Sequence, residues 1–149
     1  MKRRPVLLLS LSLALILGAA DTTHGAQTVW SALVIAHNVA KPAPVSPDLT
    51  YLEETLKDWF GYNQYEVIGQ SRAVLVTGSE DWLAQSKYFS LHIDSKEGND
   101  KTGYRVSLKL FQQSNLLLEW EAKLSKERPI IVKGPQVGDG QLLLLLVVQ

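Results

Sequence analysis

The sequence has 149 residues, 46% of them hydrophobic, and its 15 basic residues balance 15 acidic residues. This length suits one domain with its own hydrophobic core, and the lack of cysteine excludes a disulfide framework and lipid attachment at a cysteine. No cluster of Lys and Arg follows the N-terminus, which argues against nucleic acid as a partner.

The N-terminal segment, residues 1–20, is typical of a secretory signal peptide. Basic residues at 2–4 precede an apolar run at 6–17 and small residues at 18–20. Because a membrane-spanning helix needs about 20 apolar residues, this shorter run indicates a cleaved leader and not a retained anchor.

Cleavage of the leader is expected after Ala20, with cleavage after Gly25 or Ala26 as the alternatives. Cleavage after Ala20 leaves 12 basic and 15 acidic residues. A single domain is then expected over 28–149, exported to the periplasm or secreted.

Residues 28–37 form the first predicted strand. Apolar side chains occupy both of its alternating faces, which is typical of a strand in the middle of a sheet. Pro42 and Pro44 break the pattern, so a linker is expected next.

An amphipathic helix is predicted over about 46–60. Ser46 suits the N-cap, Pro47 suits the first turn, and Gly61 supplies a left-handed end. The apolar stripe recurs at helical spacing and consists of Leu49, Leu52, Leu56, Trp59 and Phe60.

Two strand-like runs, 62–69 and 72–77, follow the helix, and the weaker stretch 69–71 between them is either a turn or a bulge. We interpret the two runs as a bent hairpin. Residues 78–87 show neither the helical nor the strand period. They are interpreted as a loop in which Trp82 is a buried aromatic anchor.

Three strands of alternating polarity are predicted at 89–94, 104–110 and 116–124. Their apolar residues share one face, on which Leu116 is included, and their polar residues share the other. This period of two is typical of a sheet with one face in water.

The C-terminal segment, 142–148, is apolar at seven successive positions. Because such a terminus must be covered, we expect it to pair beside 28–37. A short strand at 130–132 comes before it, and 134–140 is interpreted as a hairpin turn and not a phosphate loop, since no helix follows.

These elements predict an α+β fold. The sheet is mostly antiparallel, or an open sandwich of 7–8 strands, with the helix packed on one face.

The residues do not form a catalytic or metal-binding constellation, so we expect no catalytic residue, metal or cofactor. His92 with Asp94 supplies two groups where zinc needs three or four ligands, and we interpret them as a solvated pair on the polar face. The candidate binding residues combine aromatic area with hydrogen-bonding groups, and they are Tyr62, Asn63, Gln64 and Tyr65.

Three segments of the sequence together form a recognisable combination. They are the strand Ala-Leu-Val-Ile-Ala-His-Asn at 32–38, the apolar stripe of the predicted helix, and the junction Phe-Gly-Tyr-Asn-Gln-Tyr at 60–65. In these features, and in the loop that begins Gly134-Pro135, the chain resembles a group of short exported bacterial proteins of unassigned function. The resemblance implies a bacterial source and export, and it transfers no catalytic residue.

The favoured hypothesis is a non-enzymatic exported binding or assembly module of the bacterial cell envelope. Its expected partner is an envelope protein or a second copy of the chain, without nucleic acid and without a transmembrane segment after cleavage. One alternative is a small periplasmic hydrolase or glycan-processing enzyme that uses His92 with Asp94. Another is a homo-oligomeric structural subunit, suggested by 142–148.

Overall fold

The computed structural model describes residues 28–76, 80–95, 104–126 and 128–149. The predicted signal peptide and its alternative cleavage positions lie outside these residues. Within the described part of the chain, no helix combines the length and apolarity needed to cross a membrane.

Eight strands form two antiparallel sheets of four strands each. The strands are β1 Thr28–His37, β2 Gln64–Val74, β3 Glu80–Gln85, β4 Phe89–Ser95, β5 Tyr104–Gln112, β6 Asn115–Leu124, β7 Ile130–Val137 and β8 Gly140–Val148. Sheet A has the order β2-β1-β8-β7, and sheet B has the order β3-β4-β5-β6. The predicted α+β, mostly antiparallel fold is confirmed.

The two central strands of sheet A are the most apolar parts of the described chain. β1 and β8 pair antiparallel, with Leu33 opposite Leu144, which confirms the predicted pairing of the C-terminal run with the first strand. Alternate residues of β8 face opposite ways, so Leu144 packs against sheet B whereas Leu143 packs under the helical segment. The central strands of sheet A are therefore buried on both faces.

A helical segment covers the outer face of sheet A. It begins as a 3₁₀ helix, Pro47–Leu52, and continues as α1, Glu53–Phe60. Leu49 and Leu56 are fully buried against the sheet, but Trp59 is 65% exposed. The predicted burial of Trp59 is wrong, because Phe60 takes the packing position in the last turn and Trp59 meets its ring edge-on at 6.5 Å.

The chain between α1 and β4 differs from its prediction in two places. Residues 64–74 form one strand, β2, because 69–71 continue the ladder with β1 after a bulge, so the predicted bent hairpin is wrong. The predicted loop contains β3, in which Leu83 and Ala84 together oppose one residue of β4. A bulge of this kind interrupts the period of two by which a strand is predicted.

The two sheets meet along β2 and β3. A Cβ atom at Gly69 would lie 2.1 Å from the carbonyl oxygen of Gln85, so the approach requires glycine. The bulge in β3 presents Ala84 N–H to sheet A, where it donates to the Oγ of buried Ser31 at 3.0 Å. Ser31 Oγ also shares a hydrogen bond of 3.1 Å with Ser71 Oγ. This side of the sandwich is therefore closed by backbone contact and polar bonds.

Candidate binding surface

The predicted binding residues Tyr62, Asn63, Gln64 and Tyr65 lie where α1 leads into β2. Tyr65 is 1% exposed, and its hydroxyl donates to the carbonyl of Leu56 at 2.7 Å. Burial raises the pKa of Tyr65 above its ordinary value. Tyr62 is partly buried against the core between sheet A and the helical segment, to which Tyr65 also belongs. The aromatic side chains of this junction are therefore used mainly in packing.

Asn63 and Gln64 hold the linker that precedes the helical segment. The Asn63 side chain accepts from Val39 N–H and donates to Val39 C=O, both at 2.8 Å. Gln64 Oε1 accepts from Ala43 N–H at 2.7 Å. The structure thus brings the four residues together, with their amide groups bonded to the chain itself, and a ligand-binding role for them stays a prediction.

The outer face of sheet B carries a cluster of half-exposed apolar side chains. Trp82 of β3 stands opposite His92 of β4, with ring centroids 4.9 Å apart. The Trp82 ring also lies 5.6 Å from that of Phe111 on β5, which stands opposite Leu116 of β6. We name Trp82, His92, Phe111 and Leu116 the aromatic patch. Trp82 and Leu116 are each 48% exposed.

The rings of the aromatic patch hold one another in place. Trp82 is inclined by 67° to His92 and by 59° to Phe111, within the edge-to-face range that aromatic pairs favour. Because Trp82 spans β4, the side chain of His92 between the two strands is only 15% exposed. The indole ring is therefore fixed while half of the residue remains open to water.

Charged groups border the aromatic patch. Glu80 Oε2 lies 3.8 Å from His92 Nε2, and Lys109 Nζ lies 3.9 Å from Glu119 Oε1 on the neighbouring strands. Both pairs include an exposed carboxylate. The patch therefore combines an apolar centre with a polar rim of both charge signs, as protein-binding surfaces do.

The predicted solvated pair of His92 with Asp94 takes a different form. The carboxylate within ion-pair distance of His92 comes from Glu80 on the adjacent strand, and Trp82 covers the imidazole. Asp94 lies farther along β4, opposite Glu80. Among the described residues, no three His, Asp or Glu side chains converge in a way that could hold a metal ion.

A separate depression of about 500 Å³ lies at one end of sheet A. His37 Nε2 is buried near it without a hydrogen bond, 3.7 Å from Glu66 Oε2. Its lining residues are Ile35, His37, Asn38, Val137, Asp139 and Gly140. Asn38 Oδ1 accepts from Asn63 N–H at 3.0 Å, so this side chain helps to hold the junction between α1 and β2.

Two strand irregularities explain why the sequence did not reveal the aromatic patch. The bulge after Trp82 removes the alternation by which β3 could be recognised, and the predicted burial of Trp82 as the anchor of a loop is wrong. A second bulge, at Leu117, turns Leu116 to the outer face beside Phe111, and the predicted burial of Leu116 is wrong. The one signal in the sequence is Trp82 itself, a large aromatic residue that directly follows two acidic residues, Glu80 and Asp81.

Comparison with known proteins found no matching protein-family model, no matching curated protein and no matching solved structure.

Proposed function

We propose that this protein is a non-enzymatic binding or assembly module of the bacterial cell envelope and that it binds its partner through the aromatic patch. The observation that carries the proposal is Trp82, half exposed on a sheet face that is otherwise mostly polar. Exposed tryptophan on a well-ordered surface is typical of the residues that dominate the energy of protein interfaces.

The support beneath the aromatic patch favours binding by a preformed surface. β4 and β5 lie between paired strands on both sides, and their inward residues Leu91 and Leu108 are fully buried. The ring contacts of Trp82 restrict its side chain before any partner arrives. Binding then requires little additional ordering, which is a main cost of association.

The proposed location is supported by the leader pattern of residues 1–20 and by the resemblance to short exported bacterial proteins. Fractionation of cells that produce the full chain tests it. We expect the mature protein in the periplasm or the medium, with an N-terminus at Asp21. Full-length protein in the cytoplasm contradicts the proposal.

Site-specific photo-crosslinking tests the binding surface. A photoreactive amino acid replaces Trp82 in one variant and Trp59, which is also exposed but on α1, in the matched control. Irradiation of intact cells is expected to yield an adduct with an envelope component from position 82 and not from position 59. Equal adducts from both positions, no adduct from position 82, or an adduct only with a second copy contradicts the proposal.

A further inference from the structure

We propose that two copies of this chain associate through the outer edge of β6, so that their B sheets join into one continuous antiparallel sheet. The inference rests on the edges of the two sheets and on the charge pattern of β6. It does not depend on the function proposed for the aromatic patch.

Each sheet has two edge strands, and three of these four edge strands are protected against such pairing. β2 and β3 lie against each other at the closed side of the sandwich. β7 contains a bulge at Gly134 and Pro135, both opposite Leu142, and the Gln141 side chain donates to the carbonyl groups of both bulge residues. Because proline has no N–H and a bulge breaks the ladder, β7 is a poor template for another strand.

β6 lacks this protection over most of its length. It is a terminal strand of ten residues, and no strand in the described part of the chain pairs with its outer edge. Its inward residues Leu118, Trp120 and Ala122 pack against the core but remain partly exposed. A long edge strand is the feature that recruits another strand.

The sequence of β6 is self-complementary about Ala122. Antiparallel pairing around a twofold axis at Ala122 places Glu121 opposite Lys123 of the second copy, and Lys123 opposite Glu121 of the second copy. On the inner face it places Trp120 opposite Leu124 of the second copy. Over 120–124, opposite charges therefore face each other on the outer face and apolar side chains face each other on the inner face, as a twofold interface requires.

The neighbouring registers place like charges at the axis. An axis at Glu121 sets two glutamates against each other, although it also sets Glu119 opposite Lys123 of the second copy. An axis at Lys123 sets two lysines against each other. The axis at Ala122 is the one of the three that places no charged residue at its centre.

Charge exchange at the axis tests the pairing in solution. Sedimentation is measured for the exported chain, for Glu121→Lys, for Lys123→Glu, for the double exchange, and for the two single variants mixed. Wild type and double exchange are expected to dimerise. Each single variant is expected to associate at least about tenfold more weakly, because like charges then face each other twice. The mixture is expected to form a heterodimer.

Both charged residues also have interactions within their own chain, so the melting temperature of each variant is recorded as a control for folding. The exchange of Lys109 and Glu119, which pair within one copy, is the matched control and should leave dimerisation unchanged. A monomeric wild type, single variants that dimerise like wild type, or a mixture without heterodimer overturns the proposal. If the chain dimerises but position 82 gives no crosslink, that result contradicts the proposed function and leaves the proposed dimer standing.

Discussion

The outer faces of the two sheets differ in how far they are covered. The outer face of sheet A lies beneath the helical segment, and residues such as Val34 and Leu143 there are fully buried. The outer face of sheet B has no covering element among the described residues and leaves Trp82 half exposed. The difference shows that the composition of the outward positions decides which face the chain covers with its own residues.

The central strands of sheet A have apolar residues on both faces, so an uncovered sheet A would expose a large apolar area. The strands of sheet B alternate, so their outward residues are mostly polar or charged and tolerate water. Against that background the aromatic patch is an exception that no other part of the described chain covers. This contrast is the reason for proposing a partner for sheet B and not for sheet A.

The largest effect is expected from truncation of a side chain under the helical segment. Leu143→Ala should lower the free energy of unfolding by about 3 kcal/mol, because it removes buried methyl groups and leaves a cavity. The matched control is Leu116→Ala on sheet B, which should cost less than about 1 kcal/mol since Leu116 is half exposed. Denaturant unfolding measures both, and equal losses would refute the contrast between the two faces.

The next effect concerns the closed side where the two sheets meet. Gly69→Ala should lower the free energy of unfolding by about 2 kcal/mol, because the new methyl group overlaps the backbone of Gln85. Gly61→Ala is the control: its Cβ meets nothing within 4 Å, and its cost comes only from a φ of 74°, about 1 kcal/mol. A Gly69 variant as stable as the Gly61 variant would show that β2 and β3 do not lock the sheets.

The fold could be predicted where one period dominates a segment. β1, β8 and the helical stripe apart from Trp59 carry enough apolar residues to determine their burial. The alternation in β4, β5 and β6 predicts that one face of sheet B is in contact with water. β3 could not be predicted, because its bulge places Leu83 and Ala84 side by side and removes the alternation. The continuity of β2 was hidden for a related reason, since Gly69 looks like a turn residue when its contact with β3 is unknown.

The candidate site was harder to predict because it depends on contacts across strands. Tyr65 and Asn63 are candidate binding residues by residue type alone. In the structure, Tyr65 packs in the core and Asn63 holds the linker. Trp82 and Phe111 are 29 positions apart in the sequence. Their side chains meet only because β4 alone lies between their strands, β3 and β5, in sheet B. Sequence periodicity contains no information on such a neighbour.

A smaller effect should distinguish the packing role of Tyr65 from its hydrogen bond. Tyr65→Phe keeps the ring and removes the bond to Leu56, so the free energy of unfolding should fall by about 1 kcal/mol at neutral pH. Tyr62→Phe is the control and should have little effect, since Tyr62 is only partly buried. A neutral Tyr65→Phe would mean that the bond does not help to hold α1 on sheet A.

The same residue predicts a dependence on pH. Burial raises the pKa of Tyr65 above 10.0, so the unfolded chain releases the phenol proton first, and stability is full below pH 10 and is lost as the pH rises through the folded-state pKa. Tyr65→Phe should remove this share of the alkaline loss. Because burial also raises the pKa of Tyr51, some alkaline loss should remain. An unchanged slope of stability above pH 10 would contradict the assignment to Tyr65.

A small effect on stability is expected at the aromatic patch, where the contrast between the two sheets is sharpest. Trp82→Ala removes two ring contacts from a half-exposed position, so the free energy of unfolding should fall by about 1 kcal/mol, well below the loss for Leu143→Ala. If Trp82 is retained for a partner, its removal should abolish recovery of the envelope component that crosslinks at position 82. Trp59→Ala, which removes a more exposed indole on α1, should change stability less and should not change recovery. A loss of stability as large as that of Leu143→Ala would make Trp82 a packing residue, and the outer face of sheet B would then need no partner to explain it.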